Sequence, residues 1–203
     1  MGKNIGLIPL GFTEIWSASF NSAIIISAGD NAEFIAFCGI NLDITIFNKE
    51  NVYLPAFLKT YPFLNVEVEN KDKKVNSLIA IDNNPKYVAK DKKIFILDKE
   101  KNLSKQVATK VELIKELNSQ RAVCRRIIAE LKKLDLLIKK DLRVNIEGKE
   151  EKVILEEFYV INMEKLLKLD DKIIASFAKK GWMGIFDAHL KSIGNFEKIL
   201  KAN

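Results

Sequence analysis

Short runs of β-branched and aromatic residues, broken by turn residues, fill the first hundred positions; a helical period takes over after Leu103. Residues 5–10, 23–27, 34–38, 44–47, 65–69, 78–81 and 94–97 each read as a strand. The stretch 65–69 alternates polar and apolar residues at period two, as a half-exposed strand does. Turns fall at 29–31, 70–74 and 82–85, where Gly, Asn, Asp, Lys and Pro cluster. Residues 54–58 read as one helical turn, stopped by Pro62 because proline disfavours helix in the residue before it.

Leu103, Val107, Val111, Ile114, Leu117, Cys124, Ile128 and Leu131 recur at helical spacings and predict one long amphipathic helix whose stripe packs on a core. Asn102 or Ser104 can cap its start. The pattern then predicts a hairpin, 142–146 with 153–160 across 147–149. Asn162 can cap a short helix through Lys168, Asp170 another through Lys179, and Gly181 stands where a helix would stop. A last helix is expected over 186–200. The implied class is α+β, with mixed or antiparallel strands in the N-terminal half. A C-terminal hairpin packs with the long helix and the short C-terminal helices. Without repeats or a low-complexity linker, residues 1–203 read as a single domain, with 1–33 as its N-terminal strands.

A chain of 203 residues buries about 70% of its unfolded surface on folding. Its 48% hydrophobic and 30% charged content excludes an intrinsically disordered chain. Cys38 and Cys124 lie in a strand and a helix far apart in sequence, so they read as reduced, buried thiols, which suits the cytoplasm. The uncharged run 15–29 is shorter than the roughly 20 residues a spanning helix needs, so no transmembrane segment is expected. Residues 1–10 lack the pattern of a secretory signal.

The formal net charge is +6, and residues 101–143 alone carry 12 Lys or Arg against five Asp or Glu. On a helix Arg121, Arg125 and Lys132 share one face, with Arg126 and Lys133 beside it and Val123 and Ile127 roughly opposite. Such a face is either a solvated helix surface or a partner-binding one. No aromatic platform or nucleic-acid motif accompanies it, so nucleic acid is not expected as the partner.

With one histidine, His189, neither a two-histidine iron site nor a three-histidine zinc site can be assembled. Asp187 and His189 point roughly 200° apart on a helix, whereas Ser192 lies one turn beyond His189 on its face. No Gly-x-Ser-x-Gly elbow, dinucleotide fingerprint or P-loop occurs, so neither a cofactor nor a metal is expected. Asp82 and Asp98 each follow an apolar run; they could collect a metal with Asp187, but turn formation is the commoner role for such residues.

The order Phe34-Ile-Ala-Phe-Cys-Gly-Ile, Ile46-Phe47, then Tyr53-Leu-Pro-Ala-Phe-Leu-Lys-Thr-Tyr-Pro-Phe63 resembles the SapC family of bacterial proteins, named from S-layer gene clusters. Leu78-Ile-Ala-Ile-Asp82, Ile96-Leu-Asp98, Phe158-Tyr-Val-Ile-Asn-Met-Glu-Lys-Leu166 and Gly181-Trp-Met-Gly-Ile-Phe-Asp-Ala-His-Leu-Lys-Ser192 continue the likeness through about residue 200. The sequence departs from the family pattern at Asn162, where aspartate is usual, and at Leu97, where phenylalanine precedes the aspartate. The resemblance implies an association with S-layer or envelope protein production or export, and supplies no reaction. The reading that follows is a non-catalytic accessory factor, cytoplasmic or at the inner face of the envelope, that binds another protein through Arg121, Arg125, Arg126, Lys132 and Lys133. Peripheral membrane contact stays open, as does the oligomeric state. The alternative is an enzyme or small-molecule binder whose pocket gathers Tyr53, Tyr61, Asp82, Asp98, Trp182, His189 and Ser192.

Overall fold

The sheet is centred on β2 (Ala23–Ile26), an Ala-Ile-Ile-Ile strand in which all four residues are buried. A strand apolar on both faces belongs at the centre of a sheet covered on both sides. In the computed structural model, which describes residues 6–40, 47, 50–69, 75–82, 95–144 and 152–202, that is its position. Five antiparallel strands run in the order β1 (Gly6–Pro9), β3 (Phe34–Gly39), β2, β7 (Lys152–Ile161) and β6 (Leu137–Val144). The fold is α+β, with antiparallel pairing throughout the described strands.

The chain divides into two compact units: Met1–Pro55 with Gln120–Asn203, and Ala56–Ser119. In the first, a 3-10 turn (Phe12–Glu14) and a short helix α1 (Ile15–Ala18) lead from β1 into β2. One sheet face carries Ala23, Ile25, Phe37, Phe158 and Val160, covered by Phe196 and Ile199. Phe196 lies 5.2 Å from the Phe37 ring centroid and 5.8 Å from that of Phe158. These two covering residues come from α7 (Asn195–Ala202), which packs on β3. Helix α6 (Trp182–Ser192) packs on β2 and β7. From the long helix α3 (Lys105–Lys133), Cys124, Ile127, Ile128 and Leu131 are buried at the expected spacing. Asp135 then takes a left-handed φ of 53° while the Leu136 N–H returns to the Leu131 carbonyl, turning the chain into β6.

The two short helices start at their expected caps, and α5 ends at Lys179 as expected, whereas α4 stops at Leu166, two residues short of Lys168. Asn162 caps α4 (Met163–Leu166) by accepting from the Lys165 N–H, and Asp170 caps α5 (Asp171–Lys179) by accepting from the Lys172 N–H at 2.8 Å. Gly181 follows α5 with φ 73°, a conformation in which a side chain would be strained.

The expected helix over 186–200 is two helices, α6 and α7, broken at Ile193-Gly194. There the Asn195 carboxamide donates to the Ser19 and Ser22 carbonyls at 2.7 and 3.1 Å, so a tertiary contact turns the chain. The hairpin strands are longer than expected, β6 beginning at Leu137 and β7 ending at Ile161; the predicted turn 147–149 lies outside the described residues.

In the second unit, α2 (Ala56–Thr60) precedes a two-stranded ribbon of β4 (Phe63–Glu69) and β5 (Val75–Ile81), in register from Phe63↔Ile81 to Glu69↔Val75. The expected strand 94–97 is replaced, over 95–97, by a single bridge, Leu97↔Leu103. The Asp98 carboxylate accepts from the Glu100 and Asn102 N–H groups at 2.9 Å each and folds the chain into a turn that competes with extension. Ser104 sits at the start of α3, as expected, with the Ala108 N–H on its carbonyl. The expected strand 44–47 lies outside the described residues save for residue 47.

The Asp170 cap can be weighed directly. Asp170→Ala should lower stability by about 1 kcal/mol in urea unfolding, and an unchanged midpoint would mean the α5 terminus finds another acceptor.

Candidate functional site

The antiparallel pairing of β2 with β7 consists of one register pair, Ile26↔Tyr159. Two residues further along each strand, Ile24 and Ile161 would be the next pair in such a ladder. Their amides are taken by α6 instead: the Ile24 N–H donates to Ser192 Oγ at 2.8 Å, and the Ile161 N–H to His189 Nε2 at 3.2 Å. Ser192 Oγ in turn donates to the His189 carbonyl at 2.6 Å, so the hydroxyl is used in both directions. His189 and Ser192 are each fully buried, and Phe34 meets the imidazole edge-on at 5.9 Å.

An imidazole that accepts at Nε2 carries its proton on Nδ1 when neutral. Among the described residues His189 Nδ1 finds no hydrogen-bond partner, so the ring is held there by its Nε2 bond and by packing. Burial drives its pKa down to about 4, opposed in part by the Ile24 backbone. His189 is therefore neutral in the folded protein near pH 7. Asp187, on another side of α6, pairs with Lys191 at 2.8 Å and takes no part.

Tyr53 belongs to a second polar cluster. Its hydroxyl donates to Glu14 Oε1 at 2.9 Å, and Glu14 Oε2 accepts from the Gly11 N–H at 2.8 Å, so a buried carboxylate is satisfied at both oxygens. Burial, and then the Glu14 charge, push the Tyr53 phenol above its ordinary range. Gln120 Oε1 accepts from the Thr13 hydroxyl at 2.6 Å, and a Cβ on Gly11 would stand 2.5 Å from that same oxygen. A side chain at position 11 would have to push the Gln120 carboxamide aside. Cys124 lies nearby, its thiol pushed up to about 12 by burial and the Glu33 and Glu14 charges; Cys38 is likewise raised by burial. Neither thiol is an activated nucleophile.

The five basic residues separate by role. Arg121 and Arg125 converge on the buried Glu33 carboxylate, with contacts of 2.7 and 2.6 Å. Lys132 Nζ donates to the Gly29 carbonyl at 2.6 Å. Arg126 and Lys133, rotated around α3 from these three, instead line an open cleft with Lys180 and Trp182. Glu14 and Glu33 are what a reading of the sequence passes over. The only local signals are the glutamate three residues after Gly11 and a charge placed directly before a fully apolar strand.

The seven candidate pocket residues fall in both units. Tyr53, Trp182, His189 and Ser192 lie in the first; within it His189 joins Ser192, Tyr53 joins Glu14, and Trp182 stacks on Phe177 at 5.4 Å. Tyr61, Asp82 and Asp98 lie in the second, where the Tyr61 hydroxyl donates to Asp82 Oδ2 and Asp98 closes its turn. Among the described residues no three His, Cys, Asp or Glu side chains converge as metal ligands, and no helix is long and apolar enough to cross a membrane.

An α+β chain whose Ala188-His189-Leu190 and Ser192 tie a helix into a split sheet, and whose Tyr53 anchors the Pro55 segment, carries the features of one family. The SapC family model matches residues 1–199, and the chain belongs to the SapC family. No curated protein and no solved structure matches it.

His189→Leu should leave the buried Ile161 N–H without an acceptor and cost about 1–3 kcal/mol. His189→Gln, which restores an oxygen acceptor, should cost less. Urea unfolding and faster hydrogen exchange at Ile161 read this out, and a leucine variant as stable as the parent sinks the assignment. The pH dependence follows with a definite sign. With a folded pKa of about 4 against the ordinary 6.5, the unfolded chain binds the additional proton between those values. This contribution is intact above about pH 6.5 and is lost as pH falls toward 4, on the order of 3 kcal/mol in full. Urea midpoints measured from neutral to acid pH should fall less steeply for His189→Gln than for the parent; parallel curves would contradict it.

Proposed function

We propose that this SapC-family chain is a non-catalytic accessory factor that binds another protein in an S-layer or envelope production or export pathway, acting from the cytoplasmic side. The observation that carries the reading is the apolar surface of the second unit. Of the twelve large hydrophobic residues exposed among the described ones, eight lie there: Val66, Val68, Leu78 and Ile79 on the ribbon, and Phe95, Ile96, Leu97 and Leu103 beyond it. In the antiparallel register Val66 stands opposite Leu78 and Leu64 opposite Ala80, so these share one ribbon face. Leu78 is 53% exposed and Phe95 70%. A two-stranded ribbon is marginal alone in water, and an apolar patch of this kind marks a protein-interaction surface. The ribbon's strand edges also offer backbone groups to an added strand.

Catalysis at His189 draws no support from the ring itself, which is buried with Nε2 engaged. The reduced, buried thiols suit a reducing compartment.

The test is capture from lysate of the source cells by the parent chain and by a Val66→Lys/Leu78→Lys variant whose circular dichroism matches it. An envelope or export protein retained in near-equal stoichiometry, and reduced about tenfold or more by the variant, is expected from the loss of a central apolar contact. Equal capture by both chains, or no retained protein, would overturn the reading.

A further inference from the structure

Arg126, Glu130 and Lys133 follow one another on a single face of α3, at spacings of four and three residues, with Val123 and Ala129 flanking them. Across from this face stand Lys180 and Trp182, on either side of Gly181. Together they line an open cleft of about 770 Å³ within the first unit. Trp182 has two neighbours at its ring: Phe177 stacks on it, and Lys180 Nζ sits 4.6 Å from its centre. Among the described residues, none of the three cations lining the cleft pairs with a carboxylate. This contrasts with Arg121 and Arg125 on the same helix, which are consumed by Glu33.

We infer that this cleft is a docking site for an acidic segment of another protein. The segment lays an apolar or aromatic side chain against Trp182 while its carboxylates meet Arg126, Lys133 and Lys180. Charge complementarity decides the sign of the occupant: three unpaired cations face one carboxylate. The rest of the lining decides its class. Glu130 stands between Arg126 and Lys133, so along about 10 Å of helix the charges read plus, minus, plus. A phosphodiester chain would meet Glu130 with like charge, whereas a peptide can set an amide or uncharged side chain there. Val123, Ala129 and the Trp182 ring offer apolar surface that a carboxylate-bearing segment with a hydrophobic residue can cover. A membrane surface is flat on this scale, and the site is concave. This surface goes beyond the apolar ribbon and is independent of it.

The chain has two tryptophans, so Trp16→Phe leaves Trp182 as the sole tryptophan reporter. The probe is a short peptide of alternating glutamate and phenylalanine, compared with its glutamine counterpart. A saturable change in Trp182 fluorescence is expected with the glutamate peptide and none with the glutamine one. Raising the salt from about 50 mM to about 500 mM should weaken it about tenfold. Arg126→Glu with Lys133→Glu should weaken it about tenfold or more, and Arg126→Gln with Lys133→Gln by less; circular dichroism checks that both variants fold. The Val66→Lys/Leu78→Lys variant should bind the peptide as the parent does, which separates failure of this site from failure of the ribbon. The inference is overturned by an absent response, by an equal response to the glutamine peptide, or by binding that both Arg126/Lys133 variants leave unchanged. Tighter binding of a thymidine oligomer or of anionic phosphatidylglycerol vesicles at the same cleft would also overturn it.

Discussion

The first unit depends on how two buried backbone amides at the centre of its sheet are satisfied. All four residues of β2 are buried, so the amides on the side where it leaves β7 need acceptors from the protein. A bulge at Glu157, with φ 54°, lies two residues before the paired Tyr159 and adds twist to β7. Beyond Tyr159 the Ile24 and Ile161 N–H groups have no strand partner, and each would cost roughly 1–3 kcal/mol if left unmet. His189 and Ser192 meet them from α6. That requirement fixes where α6 lies, and with it the left-handed Gly181 that turns the chain out of α5. The break at Ile193-Gly194 is held in turn by Asn195, bonded to the segment just before β2.

A second constraint is the charge on Glu33. A carboxylate this buried stays only if it is well paired, and the pairing comes from two arginines one helical turn apart. Lys132 binds the Gly29 carbonyl of the same β2–β3 connection, so one cationic side of α3 is a clamp on that loop. The basic patch legible in the sequence is thus two surfaces rotated from each other: one spent on the loop, the other open to the cleft.

Periodicity was enough to place most elements, because strands and helices announce themselves through local spacing: β1 to β5, the long helix and the capped helices α4 and α5 lie close to where the pattern puts them. The misses have tertiary causes. In 186–200 the Gly194-Asn195 pair is the local hint of a break, and what fixes it is the bonding of Asn195 to residues more than 170 positions away. The 94–97 run looks like a strand, but Asp98 supplies a competing turn. The polar clusters were legible only in part. Helical spacing puts His189 and Ser192 on one face, yet their partners are backbone amides of β2 and β7, and a backbone group leaves no trace in a sequence. Glu33 was invisible as the partner of Arg121 and Arg125 for a similar reason, since a separation of 88 positions carries no periodic signal.

The residues by which this chain is recognised are largely the ones its interior consumes. Ser192 and Tyr53 have their polar atoms bonded inside the first unit, His189 is buried there with Nε2 bonded, and Tyr61 is bonded to Asp82 in the second. Such residues can characterise a family through the demands of folding alone, so their presence argues for a shared architecture more strongly than for a shared reaction. Chemistry that is left over must sit elsewhere. It sits in side chains that face outward: the apolar face of the β4–β5 ribbon and the cations lining the Trp182 cleft. Neither surface belongs to a motif that a sequence pattern would single out, and each asks for a different kind of contact, one apolar and insensitive to salt, the other electrostatic and screened by it.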